Sequence, residues 1–281
     1  MGKGIPSSDV PSSLSEAFQS YTAIIVTGGS SGLGRAFIRN ALTVHPSVRI
    51  CNLSRSKPAT FSDEKSLHHI SCDLAREGEV EHAAGQLDDW LQGIPSGRLL
   101  LINNSGFGAY GRFPEPNLSR HLEMIDVNVR GLVQLTGRLL PKLRARGGTI
   151  ITIASTTAYQ PTPFAATYGA TKAFVLHWTI ALNEELRGTG VTSIAVSPGP
   201  TNTNFFHAAG LGGGAVSPSL SMSADEVVAL AMRAAARGKS HVVTGWKNKA
   251  YAFAASKLPK VFAARIGAMF LAKFRMDKVR R

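Results

Sequence analysis

Short strand-like segments alternate along this chain with longer helix-forming segments, and this alternation constrains the fold more than any other feature of the sequence. The strand-like runs are short and largely apolar, which is typical of parallel strands that are buried on both faces. We therefore predict an α/β fold, a doubly wound and mostly parallel sheet with helices on both faces and right-handed crossovers. The predicted strands are residues 21–27, 48–53, 67–72, 98–102, 149–154, 192–196 and 241–244, and the predicted helices are residues 35–44, 77–91, 118–144, 165–186 and 223–236.

Composition divides the chain into three parts. Residues 1–20 are rich in Ser, Pro and Gly and lack the apolar core of a signal peptide, so we expect a disordered leader. Residues 21–246 are expected to form a single domain, since a chain of 281 residues can enclose one sizeable core. Residues 247–281 carry ten basic residues against Asp277, which is +9 of the formal net charge of +13. We expect this part to be a basic amphipathic C-terminal extension.

A glycine-rich turn stands between the first predicted strand and the helix that follows it, where residues 27–34 read Thr-Gly-Gly-Ser-Ser-Gly-Leu-Gly. Glycines let the backbone approach a pyrophosphate, and a helix N-terminus supplies amide donors and a favourable dipole. Glycines also turn chains without binding anything, but between a strand and a helix the dinucleotide-binding interpretation is favoured, which makes the fold Rossmann-type. The residues expected to contact the cofactor here are Thr27, Gly28, Ser30, Ser31, Gly32, Leu33 and Gly34.

The end of the second predicted strand bears on the choice of dinucleotide. Ser54 and Arg55 stand where an acidic residue would accept the ribose hydroxyls of NAD, whereas an arginine accommodates the 2′-phosphate of NADP. We therefore predict NADP (NADPH), with NAD less favoured, and the alternative is a solvated basic turn. Asn104, Ser105 and Gly106 follow the fourth strand, where short polar residues either line a cofactor cleft or make an Asx-type turn.

The segment from Ser155 to Lys172 combines three side chains that suit proton transfer. Ser155 follows the fifth predicted strand, and Tyr168 and Lys172 occupy positions i and i+4 of the next helix. A nearby lysine cation stabilises a phenolate and lowers the tyrosine pKa from its usual value near ~10. Ser155 can then hydrogen-bond a carbonyl or alcohol oxygen while Tyr168 gives or takes its proton. The alternative is an ordinary exposed helix pair.

Together these motifs resemble those of the short-chain dehydrogenase/reductase family, in its single-domain branch, over residues 22–245. The turn at residues 27–34 resembles the family's TGxxxGxG motif. Residues 103–106 resemble NNAG with Ser in place of Ala, and residues 198–203 resemble PGxxxT. The further cofactor contacts that this resemblance implies are Asp73 and Leu74 near the adenine, Asn104, Ser105, Gly106, Tyr168, Lys172, Pro198, Gly199 and Thr203.

The resemblance also implies a catalytic tetrad of Asn128, Ser155, Tyr168 and Lys172. In that family the lysine also holds the nicotinamide ribose hydroxyls, and the asparagine supports a water that leads protons to the lysine. Without the resemblance, Asn128 is a tolerated polar residue inside a helix or a disturbance of its hydrogen bonds. Ser31 stands where NADP-preferring members often carry a basic residue, so the NADP prediction rests mainly on Arg55.

The resemblance predicts an NADP(H)-dependent oxidoreductase that interconverts a carbonyl and an alcohol by hydride transfer. A non-enzymatic NADP-binding sensor or scaffold is the alternative. Aromatic residues near the predicted site favour an apolar or lipid-like substrate, although aromatic residues also fill cores. The candidates are Phe107, Tyr110, Phe164, Phe205 and Phe206.

Partners and compartment follow from the remaining features. Cys51 and Cys72 lie inside predicted strands, so we expect no disulfide, no metal site and a cytoplasmic location. The basic extension lacks a nucleic-acid-binding module, and we expect no nucleic acid as a partner. Its apolar residues recur at helical spacing after Pro259, which favours a helix lying on an anionic membrane, packing on the body or contacting a second copy. We also expect a homodimer or homotetramer.

Overall fold

A computed structural model of the protein describes residues 14–58, 67–211 and 221–274. Within them, the strands form one seven-stranded sheet in the order β3-β2-β1-β4-β5-β6-β7, and every neighbouring pair is parallel. This confirms the doubly wound α/β fold. The strands are β1 (Ala23–Thr27), β2 (Arg49–Ser54), β3 (Leu67–Ser71), β4 (Leu99–Asn103), β5 (Gly148–Ile153), β6 (Val191–Ser197) and β7 (His241–Val243).

Helices cover both faces of this sheet. Alternate residues of β1 point to opposite faces, so that Ile24 packs in one core cluster and Ile25 in the other. The first cluster includes Phe37 of the second helix, and the second includes Leu87 of the third. The helices are α1 (Leu14–Gln19), α2 (Gly32–Val44), α3 (Glu77–Gln92), α4 (Leu118–Ile125), α5 (Gly131–Arg146), α6 (Ala166–Glu185), α7 (Phe205–Ala208), α8 (Ala224–Ala236), α9 (Trp246–Lys257) and α10 (Lys260–Phe274).

The strand order reverses beside β1, which is paired with β2 on one side and with β4 on the other. The crossovers on the two sides of this point lead away from each other, so a crevice is left at the carboxyl ends of β1 and β4. This is the position where doubly wound sheets bind ligands. The glycine turn follows β1 directly, because α2 begins at Gly32.

The structure corrects two predicted elements and adds a short helix that was not predicted. The disordered leader is wrong for Leu14–Gln19, because α1 buries Ala17 and Phe18 in the core, while residues 1–13 lie outside the described residues. The helix predicted over 118–144 is interrupted by a π-helical turn, Asp126–Arg130, between α4 and α5. No helix is predicted between residues 197 and 222, but the structure forms α7 there, and residues 212–220 lie outside the described residues.

The helix starts predicted at Ser223 and Pro259 are confirmed. Ser223 and Glu226 form a reciprocal capping box at the start of α8, and Pro259 directly precedes α10. None of the described helices is both long enough and apolar enough to cross a membrane. Residues 275–281 of the basic extension lie outside the described residues.

Candidate active site

A cleft of about 400 Å³ opens at the carboxyl ends of the strands. Of the predicted site residues, Thr27, Gly34 and Asn128 are buried behind its wall. The others all line it, so the fold brings together segments that are far apart in the sequence. They are Gly28, Ser30, Ser31, Gly32, Leu33, Ser54, Arg55, Asp73, Leu74, Asn104, Ser105, Gly106, Ser155, Tyr168, Lys172, Pro198, Gly199 and Thr203.

The glycine turn is tied to the end of β4 by Thr27 and Asn104. Thr27 Oγ1 accepts hydrogen bonds from the backbone N–H groups of Asn104 and Ser105, each at 2.9 Å. Asn104 Nδ2 in turn donates to the carbonyl oxygens of Thr27 at 2.9 Å and Gly28 at 3.2 Å. Gly28 has φ +69°, a conformation that residues with a Cβ rarely adopt. The turn is therefore a fixed backbone cradle at the mouth of the strand crevice.

Asn52 holds the same turn from the side of β2, and sequence reasoning missed it. Its Oδ1 accepts a hydrogen bond from the backbone N–H of Gly29 at 2.7 Å, and its Nδ2 donates to Ser54 Oγ at 2.8 Å. Asn52 is fully buried within the strand. An unpartnered amide there would cost free energy, so a buried polar residue in an apolar strand was the signal that could have pointed to it.

We expect Gly34→Ala to distort this cradle. A Cβ at Gly34 would lie 2.4 Å from the carbonyl oxygen of Gly28 and 2.5 Å from Asn104 Nδ2, and both atoms are held by the contacts just described. The free energy of unfolding should fall by about 1–3 kcal/mol, the usual cost of overpacking. The matched control is Gly85→Ala in α3, where an added Cβ meets nothing within 4 Å. Urea unfolding of both variants measures the difference, and equal stabilities would contradict the rigid cradle.

Asn128 lies in the π-helical turn and joins three elements. Its Nδ2 donates to the carbonyl oxygen of Phe107 at 3.0 Å and to Thr171 Oγ1 at 3.1 Å, and its Oδ1 accepts from the N–H of Phe107 at 3.1 Å. Single π-helical turns are frequent at functional sites, because they disturb the regular ladder. Asn128 therefore fixes the loop after β4 against α6. Of the two alternatives that the sequence leaves open, the structure favours the second, because Asn128 lies where the regular hydrogen bonds of the helix are disturbed.

Lys172 is buried between Tyr168 and the end of β5. Its Nζ donates to the carbonyl oxygen of Ile153 at 2.7 Å and lies 5.9 Å from the centre of the Tyr168 ring. Burial disfavours the charged ammonium and lowers the pKa of Lys172 to about 8. The two side chains are thus a buried pair, not the exposed helix pair that the sequence left as an alternative.

Ser155 lies at the carboxyl end of β5, on the wall of the same cleft. Its Oγ accepts a hydrogen bond from the N–H of Thr157 at 3.2 Å. A hydroxyl that accepts in this way keeps its own hydrogen for donation. Ser155 can therefore donate to an oxygen atom placed in the cleft near Tyr168.

The lowered pKa of Lys172 has a consequence for stability. Below pH 8 both folded and unfolded chains hold the proton, and the buried charge costs free energy. As the pH rises from 8 towards 10.5 the folded chain loses the proton first, so stability rises with pH. The variant Lys172→Met lacks this titrating group. We therefore expect the free energy of unfolding of the wild type, minus that of Lys172→Met, to rise by about 3 kcal/mol between pH 7 and pH 10.5. Urea unfolding at both pH values tests this, and a constant difference would contradict it.

Aromatic residues form one side of the cleft. The Phe205 ring centre lies 5.4 Å from that of Tyr168, and Phe206 packs edge-on against Phe205 at 5.6 Å. Phe107 and Tyr110 also line the cleft. Phe164 does not: its backbone has φ +62°, and its ring packs against the Arg112 guanidinium outside the cleft. The prediction of Phe164 as a pocket residue is therefore corrected.

Arg55 lines the cleft next to an acidic residue that sequence reasoning did not single out. Arg55 Nη1 lies 3.7 Å from Glu123 Oε1 of α4, and the Arg55 side chain is 67% exposed. Ser54 Oγ donates to the carbonyl oxygen of Ser56 at 2.8 Å. Asp73 Oδ1 accepts from the N–H of Ala75 at 3.0 Å. The guanidinium is therefore accessible to an anionic ligand, whereas Asp73 is held in place by its own turn.

Comparison with known proteins identifies a family and relatives to which this chain is similar. A family model described as short chain dehydrogenase matches residues 22–211. The serine 3-dehydrogenase of Agrobacterium fabrum (strain C58) is 31% identical over 188 residues, which cover 65% of this chain and 73% of that protein.

Two solved structures show the fold. A short-chain dehydrogenase from Sphingobium yanoikuyae in complex with NADPH has a TM-score of 0.72 at 25% identity, covering 89% of this chain and 95% of that one. A short-chain dehydrogenase/reductase from Burkholderia phymatum in complex with NAD has a TM-score of 0.71 at 20% identity, covering 83% of this chain and 92% of that one.

Proposed function

Because the chain belongs to the short-chain dehydrogenase/reductase family, we propose that it is an NADP(H)-dependent oxidoreductase that interconverts a carbonyl and an alcohol. One observation carries this proposal: Ser155, Tyr168 and Lys172 line the same cleft as the glycine turn. The cleft therefore combines a place for a dinucleotide with groups that transfer a proton.

The residues of the turn fit a nicotinamide dinucleotide. Gly28 lines the cleft without a side chain, so its backbone faces the ligand, and Gly34 behind it leaves room for the turn, since a Cβ there would collide with Gly28. The helix α2 begins at Gly32, and the backbone N–H groups of its first turn are suited to donate hydrogen bonds to a pyrophosphate. Bound NADP(H) would supply or accept the hydride.

The chain's own residues would handle the proton and the substrate oxygen. Tyr168 would give its phenolic proton to a carbonyl oxygen during reduction and take it back during oxidation. Ser155 would donate a hydrogen bond to the same oxygen and so stabilise the charge that develops there. Lys172, when protonated, would stabilise the phenolate through its position 5.9 Å from the ring. Asn128 would hold the surrounding backbone in place.

Two finer proposals concern the ligands. The accessible guanidinium of Arg55 supports NADP(H) rather than NAD, because a 2′-phosphate would pair with it. The aromatic side of the cleft, with Phe205 beside Tyr168, supports an apolar or lipid-like carbonyl or alcohol as the substrate.

Further proposals concern the protein's surroundings. Cys51 and Cys72 are both free and buried, which supports a reducing, cytoplasmic location. Phe174 is exposed and Trp178 half-buried on α6, which supports contact between copies in a homodimer or homotetramer.

The reaction is tested by following NADPH absorbance with a panel of apolar aldehydes and ketones, and NADP⁺ reduction with the matching alcohols. We expect turnover with several members, and more with NADPH than with NADH. The non-enzymatic sensor has no specific observation in its favour, because a sensor has no use for a proton-transferring group. Silence across the panel together with tight NADPH binding would nevertheless overturn the proposal in favour of the sensor.

A further inference from the structure

The helix α9 turns its small residues towards the body and its large apolar residues outwards. Ala252 and Ala255 are each only 3% exposed, whereas Trp246 and Phe253 are 75% and 68% exposed. A surface helix of a globular protein normally does the opposite and buries its large apolar residues. Trp246 and Phe253 are seven positions apart and so lie on the same face of the helix.

The helix α10 repeats this inverted arrangement. Ala263 is 1% exposed, and a Cβ added at Gly267 would lie 3.5 Å from Pro163 Cδ, so the small residues face the body. The outward side carries large apolar residues with exposed fractions between 46% and 75%. Those residues are Val261, Phe262, Ile266 and Met269.

Basic residues surround these apolar residues. Lys247 Nζ lies 5.8 Å from the Trp246 ring centre, and Lys257 Nζ lies 5.7 Å from that of Phe253. Lys249, Lys260 and Arg265 are exposed as well. The sequence contains no Asp or Glu from residue 246 to residue 276. The outward faces of α9 and α10, called the C-terminal surface below, are therefore apolar and cationic without any compensating acidic side chain of their own.

We propose that the C-terminal surface docks on an anionic lipid bilayer. Apolar and aromatic side chains would enter the interface, and the basic residues beside them would meet lipid phosphates. A second copy fits less well, because the same surface on both copies would oppose cation to cation. This inference is independent of the proposed reaction, because no residue of the C-terminal surface takes part in that reaction.

The surface is joined directly to the wall of the cleft. Asn248 of α9 packs against Gly199, where an added Cβ would lie 2.2 Å from Asn248 Oδ1, and Gly199 lines the cleft. At the start of α10, Lys260 Nζ donates to the carbonyl oxygen of Tyr159 at 3.3 Å. Docking through α9 and α10 therefore holds the catalytic body at the bilayer and not on a free tether.

Co-sedimentation of the full chain with lipid vesicles tests the proposal. The wild type should bind phosphatidylcholine vesicles that contain about 30% phosphatidylglycerol, and salt should weaken the binding. Vesicles of phosphatidylcholine alone should bind it much less. The triple variant Phe262→Ser/Ile266→Ser/Met269→Ser keeps every charge and should lower the partition coefficient by about tenfold or more.

The matched control removes three exposed apolar residues from α4: Leu118→Ser/Leu122→Ser/Ile125→Ser. These residues are 53%, 54% and 43% exposed, against 52%, 46% and 75% for the three in α10. The control should bind vesicles like the wild type. Circular dichroism and NADPH binding verify that both variants are folded. The proposal is overturned if the wild type ignores anionic vesicles, if both variants bind equally, or if sedimentation velocity shows that the α10 variant instead dissociates an oligomer.

Discussion

Replacing Tyr168 with Phe should lower kcat by about 10²–10⁴-fold, the contribution of a positioned acid or base. The ring and its packing against Phe205 are kept, and only the hydroxyl that gives or takes the proton is lost. Because little binding surface is removed, the Kd for NADPH should stay within about twofold of the wild-type value. Turnover on a substrate found in the panel and fluorescence titration with NADPH measure the two quantities.

The control for this variant is Tyr159→Phe. Tyr159 follows Ser155 by four residues, but its hydroxyl contacts Ser197 and His241 and it does not line the cleft. Its turnover should remain within about threefold of the wild type, since no transferred proton passes through it. Near wild-type kcat in Tyr168→Phe would remove this residue from the reaction, and an equal loss in both variants would indicate general damage from losing a phenol.

Replacing Arg55 with Asp should raise the Kd for NADPH by about 100-fold. The variant would lose the charge-assisted hydrogen bonds between the Arg55 guanidinium and the 2′-phosphate. The new carboxylate would also repel that phosphate, and it would lie close to the negative charge of Glu123, whose Oε1 is 3.7 Å from Arg55 Nη1 in the wild type. NADH lacks that phosphate, so its Kd should change by less than about threefold. Titration of each nicotinamide with both proteins gives the ratio.

Arg76→Asp is the matched control for charge. Arg76 is 72% exposed and lies 3.5 Å from Glu79, against 67% and 3.7 Å for Arg55 and Glu123. It does not line the cleft, so its replacement should leave both Kd values unchanged. If the wild type binds NADH as tightly as NADPH, or if Arg55→Asp weakens both equally, the interpretation of the end of β2 is wrong.

The sequence predicts the sheet well, because its signal is local. Most of the buried strands are largely apolar runs, and helix-forming segments separate most of them, so the parallel direction of the strands follows from general rules. The cleft is predictable for a related reason: in a parallel sheet, residues just after each strand meet at one edge. This is why Gly28, Asn104 and Ser155 converge although they are distant in the sequence.

The remaining site depends on contacts that no local pattern encodes. Asn52 supports the glycine turn from within a strand, and Glu123 meets Arg55 because the fold brings this residue of α4 to the wall of the cleft. Phe164 is aromatic like the other candidate pocket residues, yet it packs against Arg112 and does not line the cleft. The helix α1 was missed because six residues are too few to form a stable helix by themselves, and the burial of Phe18 in the core stabilises it.

Deuterium transfer tests the central claim most directly. The wild-type protein is incubated with NADPH deuterated at C4, in one preparation on each face, together with a carbonyl compound from the panel. The alcohol product is then analysed by mass spectrometry. Hydride transfer in this cleft predicts one deuterium on the carbon that bears the new hydroxyl, from one face of the nicotinamide and not the other. Alcohol formed without deuterium from either preparation would contradict the account.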